Sequence, residues 1–320
     1  DDAASTPITN LKGLGKLTDI GGTLSIQNNI TLLSLSGLDN ITSIGGLYIE
    51  RNDFLTDLSG LDKLTTISKD VIIRNNDMLY NLVGLNSLTA LDGSITIEDN
   101  DILNSLKGLD YLKTIGGNLT VTHNSGGYNT STGLVSISHL NELVSVGGDI
   151  HIDRNESLKR MEFKKLNSIG GSLEIITQGG SLDANNLTTI GGNLELVSAY
   201  LRDFSGLTGL HSIGGDLIIQ STGLVDSSNL SNLQSISGKL FIYNNYSLSS
   251  LNGLHNIDPA GISDLTITGN YRTSVCALTN ICTYLASGKP VNIIGNRLGC
   301  DTEAQVRAFC TSDANCDYNS

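Results

Sequence analysis
The chain has 320 residues, including 36 Gly, 3 Pro, 10 Tyr and no Trp, with 39% hydrophobic residues and a formal net charge of -13. Ordinary hydrophobicity with so few aromatics calls for an interior of Leu, Ile and Val and excludes a disordered chain. No apolar run approaches the ~20 residues of a membrane-spanning helix, and the excess of acid argues against nucleic acid, whose phosphates require clustered Lys and Arg.

From the partial coil Ile8-x-x-Leu11-x-Gly13-Leu14-x-x-Leu17 onward, one phrase recurs: apolar-x-apolar-x-x-Asn. It appears as Leu24-Ile26-Asn29, Leu47-Ile49-Asn52, Val71-Ile73-Asn76, Ile95-Ile97-Asn100, Leu119-Val121-Asn124 and Ile150-Ile152-Asn155, and later as Leu240-Ile242-Asn245, Leu265-Ile267-Asn270 and Val291-Ile293-Asn296. Three copies between them, starting at Leu173, Leu194 and Leu217, keep the apolar pair and carry Gln178, Ala199 and Thr222 where Asn is expected. The alternating pair has the period of a strand with every second side chain in a core. Between copies runs Leu-x-x-Leu-x-Gly-Leu-x-x-Leu-x-x-Ile, as from Leu103 to Ile115, which turns the corners.

A single coil of this kind cannot bury its own apolar residues, whereas stacked coils bury them on one another. The expected fold is therefore all-β, a right-handed parallel β-solenoid of about 12 coils. Its domains are expected as a repeat solenoid over 1–272 and a cysteine-containing cap with helical character, including the last coil, over 273–320. The Asn residues should form a ladder that bonds the backbone of neighbouring coils at a corner. Glycine pairs before the strands, such as Gly116-Gly117 and Gly191-Gly192, should supply positive φ or close backbone approach.

Residues between the core pair point outward, which gives two columns to search for a site. Asp149, His151, Asp153, Glu174 and Glu195 concentrate acid on neighbouring strands, and Ile176, Val197, Ile218, Phe241 and Tyr243 place apolar surface where a solvated sheet would be polar. These are the candidate ligand-binding residues. The polar, Gly-rich insertion at about 123–134 adds Tyr128 as a loop contact. Asp53, Asp77 and Asp101 follow three successive Asn corners, where solvated turn carboxylates are commoner than a calcium site. No metal site or cofactor is expected, and no nucleophile elbow, zinc helix or phosphate loop occurs.

All five cysteines lie between Cys276 and Cys316, without the short C-x2-C spacing of zinc knuckles. Cys276, Cys282, Cys300 and Cys310 are the disulfide candidates, with Cys316 left over and the pairing open. Such a cluster implies an oxidising, extracytoplasmic setting.

The phrase Ile20-Gly21-Gly22-x-Leu24-x-Ile26-x-x-Asn29, repeated in register over roughly residues 8 to 296, resembles the receptor L domain of insulin and epidermal growth factor receptors. Similar strings occur in fungal cell-wall proteins and in secreted leucine-rich proteins of Bacteroidetes-type bacteria, whose cap the Cys276–Cys310 region resembles. The resemblance implies a secreted or cell-surface protein that presents surfaces and carries no catalytic residues. The expected function is a non-enzymatic recognition or adhesion module binding a protein or glycan across its sheet face. Self-association as a head-to-tail structural subunit is the alternative, and a polysaccharide-active solenoid enzyme using Glu174 and Glu195 stands third.

Overall fold
A computed structural model describes residues 8–126, 133–178, 180–198, 201 and 205–311. It is an all-β parallel β-solenoid of about 11 turns, grouped by contacts into two units, Asp1–Leu166 and Asn167–Ser320. The first unit carries β1 (Asp19–Gln27), β2 (Ser43–Glu50), β3 (Val71–Arg74), β4 (Ile95–Glu98), β5 (Leu119–Thr122) and β6 (Ile150–Asp153). The second carries β7 (Leu173–Ile176), β8 (Leu194–Val197), β9 (Leu217–Gln220), β10 (Lys239–Tyr243), β11 (Asp264–Thr268) and β12 (Val291–Ile294), with helices α1 (Thr279–Ala286) and α2 (Glu303–Cys310). Within each unit every strand pairs in parallel with the next, so repeat positions sit side by side.

The three-residue spacing of the leucines has a local cause. Leu79, Leu85 and Leu88 each donate their N–H to the carbonyl three residues earlier, at Asn76, Leu82 and Leu85, so the chain advances in tight turns that return one side chain in three to the interior. Between these bonds, Tyr80 N–H donates to Thr56 O and Leu82 N–H to Lys107 O, which satisfies the backbone across coils. Leu79, Leu82, Leu85, Leu88, Leu91, Ile95 and Ile97 are all buried as a result. The corresponding residues of the first coil are not: Leu14 and Leu17 are 42% and 38% exposed, whereas Leu38 and Ile41 of the next coil are at 0%.

The Asn ladder is present. Asn52, Asn76, Asn100, Asn124 and Asn155 are buried, and each backbone N–H from Asn29 to Asn124 donates to the Oδ1 of the next Asn. The Nδ2 of Asn76 donates back to Ile49 O of the preceding coil and to Arg74 O of its own. The residue before each ladder Asn is left-handed, with φ between 48° and 57° from Asn28 to Arg154, which turns the chain out of its strand. In the second unit the ladder runs Thr222, Asn245, Asn270, Asn296. The two shorter coils before it differ from the sequence reading. The buried polar groups there are Thr177 and Ser198, their hydroxyls 3.4 Å apart, and Gln178 is exposed. The corner is made one residue early, without a left-handed residue before it; Ala199 lies outside the described residues.

The glycine pairs act by the second of the two means expected of them, close backbone approach. Positive φ falls at the Leu-x-Gly-Leu position, as at Gly84 (φ 117°), whereas Gly191 of a Gly-Gly pair has ordinary φ and is needed because a Cβ would meet Gly170 O at 2.1 Å.

Two disulfides close the cap, Cys276–Cys300 and Cys282–Cys310, selecting one pairing of the four candidates. Cys316 lies outside the described residues. The second bridge joins α1 to α2, which is capped by Thr302, whose hydroxyl accepts the Gln305 N–H. On α1, buried Asn280 donates to Leu254 O and Ile257 O of the turn beneath it.

Candidate functional site
The outward columns read from the sequence are those of the sheet. In the second unit Glu174, Glu195, Ile218 and Phe241 are successive register partners, and so are Ile176, Val197, Gln220 and Tyr243. Ile176 and Val197 occupy one column on β7 and β8, and Ile218 and Phe241 the other column on β9 and β10. The apolar residues therefore form a diagonal stripe across four strands. All four are half-buried.

The ends of the stripe differ in charge. Glu174 and Glu195 stand side by side at one end, while at the other the Lys239 ammonium lies 5.3 Å from the Phe241 ring centroid. The Tyr243 hydroxyl donates to Gln220 Oε1. Burial, with the Glu195 charge adding, pushes the Tyr243 phenol above its ordinary value.

In the first unit His151 and Asp153 lie on β6, opposite Thr120 and Thr122 of β5, and Asp149 sits exposed just before it, its N–H donating to Asn118 Oδ1. The Asp153 carboxylate is 3.5 Å from Arg154 Nε. Tyr128 lies outside the described residues.

One group on the first unit's face was not singled out in the sequence. The Tyr48 hydroxyl donates to Glu50 Oε2 at 2.8 Å, Arg74 Nε donates to Glu50 Oε1 at 3.1 Å, and the Arg74 guanidinium stands 5.5 Å from the Tyr48 ring centroid. The Tyr48 hydrogen bond, opposed by burial and assisted by Arg74, holds the Glu50 carboxyl below its ordinary value. All three residues were in the outward columns. The column set Glu50 beside Arg74; the missing signal was that Arg74 also reaches Tyr48 of the other column.

Asp53, Asp77 and Asp101 share a corner. Burial, followed by the charges of Asp53 and Asp101, pushes the Asp77 carboxyl up. Among the described residues no group of three or more His, Cys, Asp or Glu is placed to hold a metal ion. A carboxyl with a raised native value holds its proton more tightly when folded. Its contribution to stability is thus fully present below the unfolded value and lost as pH rises through the folded one. Asp77→Asn is expected to raise the stability at about pH 7 by no more than about 0.5 kcal/mol, given the exposed side chain, and to change nothing near pH 3. Calorimetry at the two pH values checks the sign.

Residues 145–283 match the model of the Receptor L domain family, a family of receptor-like, non-enzymatic binding domains. No curated protein matches the chain. No helix among the described residues is long and apolar enough to cross a membrane.

Proposed function
We propose that this chain, whose residues 145–283 carry the receptor L domain match, is an extracellular recognition module that holds a protein or glycan against the outward face of β7–β10. The observation that carries the reading is the stripe Ile176, Val197, Ile218 and Phe241, bounded by Glu174 and Glu195 at one end and Lys239 at the other. A stripe with an apolar centre and charged ends has the anatomy of a binding surface, in which apolar contacts supply energy and rim charges set orientation. Asp149, His151, Asp153 and Tyr128 are further candidate contacts. Two disulfides in the cap support an oxidising, extracellular setting.

Chemistry on the same face has less support. Glu174 and Glu195 are adjacent register partners, near the ~5 Å separation of a retaining glycosidase pair. Their next neighbours in register, however, are Ile218 on one side and Ile176 and Val197 in the adjoining column, which offer no donors to seat a sugar ring. Head-to-tail assembly is also less supported, because α2 packs on β12.

The full oxidised chain, screened on a glycan array and by surface-protein pulldown, is expected to retain a ligand and return it with unchanged mass. Turnover of a polysaccharide that stops on Glu174→Gln or Glu195→Gln would overturn the reading.

A further inference from the structure
Beside the cap, the second unit holds a surface cavity of about 490 Å³, within the ~300–1,000 Å³ of small-ligand sites. It has three walls: the turns at Ser228–Leu230 and Asn252–Leu254 make the first, the stretch 274–279 leading into α1 the second, and Gly299 with Phe309 of the cap the third. The bridge Cys276–Cys300 ties the second wall to the third, and Cys282–Cys310 ties α1 to the helix that presents Phe309. Covalent links thus join two of its walls.

None of its thirteen lining residues is Asp, Glu, Lys or Arg, in a chain that carries 19 basic and 32 acidic residues. An ion entering would shed its water without meeting a counter-charge, which disfavours charged ligands. The polar lining is nevertheless rich: Ser231, Asn252, Ser274, Thr279 and His255. The His255 Nδ1–H donates to Asn252 O at 2.6 Å, which leaves Nε2 as the ring's other polar atom. Hydroxyls and a carboxamide both donate and accept, as sugar hydroxyls do. Phe309, 47% exposed, adds aromatic surface suited to the C–H face of a pyranose.

We infer that this cavity binds a neutral hexose unit of a glycan, at a site separate from the sheet face. The test titrates the full oxidised chain with cellobiose, mannobiose and galactobiose, and with glucuronic acid and glucosamine as charged counterparts. At least one neutral disaccharide is expected to bind saturably, about tenfold or more tighter than either charged sugar. Asn252→Ala and the cavity-filling Ala277→Trp should each weaken it at least about tenfold. Ile218→Asp on the sheet face should leave it unchanged, which separates failure of this inference from failure of the face reading. Thermal melts establish that the variants fold, and Asn252→Ala carries the test if Ala277→Trp does not. Absence of saturable neutral-sugar binding, equal binding of the charged sugars, displacement of the sugar by Ile218→Asp, or binding unaffected by the folded cavity variants would each overturn the inference.

Discussion

Asn76→Ala is expected to destabilise the chain by about 3–5 kcal/mol, read as a fall in the urea midpoint. The side chain makes five hydrogen bonds: Nδ2 to Ile49 O, Arg74 O and Asn100 Oδ1, and Oδ1 from the Asn52 N–H and Asn52 Nδ2. Alanine leaves Ile49 O and the Asn52 N–H without these partners at a fully buried corner, where each unsatisfied group costs about 1–3 kcal/mol. It also leaves a void where the carboxamide stood. Asn76→Asp should be no milder, since it keeps an acceptor but removes the donor and buries a charge. Thr222→Ala is the internal comparison. Thr222 replaces the carboxamide with one hydroxyl, donating to Asn245 Oδ1 at 2.7 Å and accepting weakly from Leu224 N–H, so its loss should cost less than half as much. Equal losses at the two positions would mean that the ladder's bonding is not what holds the corner.

Gly84→Ala is expected to cost about 3–6 kcal/mol by the same measurement. At φ 117° an L residue is strained, and a Cβ there would lie 2.0 Å from Leu58 O, a backbone atom that cannot move aside without breaking the stack. Gly60 and Gly108 repeat the arrangement against Leu35 and Leu82 of their preceding coils, so the glycine column is where consecutive corners touch. Gly288→Ala separates the two contributions. It has φ 74° but nothing within 4 Å of the added atom, and should cost only about 1–2 kcal/mol from the left-handed backbone. A similar cost at both sites would assign the effect to backbone strain and not to stacking.

These two columns also show what the sequence made legible. Asn and Leu recurred at fixed spacing because each position meets its own counterpart one coil away, and a contact between like positions writes itself into the sequence as a repeat. The outward columns were readable for the same reason, down to the pairing of Glu174 with Glu195 and Ile218 with Phe241. Where the repeat shortens, the reading slipped: counting five residues from Leu173 led to Gln178, whereas the turn tightens and buries Thr177. The column already set Glu50 beside Arg74, but the link of both to Tyr48 was hidden because it joins two columns, which a single column does not record. The cavity beside the cap was less visible still. Its walls come from segments between Ser228 and Phe309 that are far apart in the sequence and are joined in part by two disulfides, and the pairing was open among the five cysteines.

The recognition reading depends on the face of β7–β10 and not on exposed aromatic surface in general. Tyr246 and Tyr271 provide the control, because they stack at 5.7 Å on a corner and are 58% and 63% exposed. The deciding measurement is therefore a titration of the ligand captured by pulldown or array against the wild-type chain, Ile218→Asp and Tyr271→Ala. A charge placed in the centre of the stripe should weaken binding about thirtyfold or more, the scale of an interface hot spot, while Tyr271→Ala leaves affinity unchanged. Unaltered affinity in a folded Ile218→Asp chain would contradict the assignment of the sheet face as the binding surface.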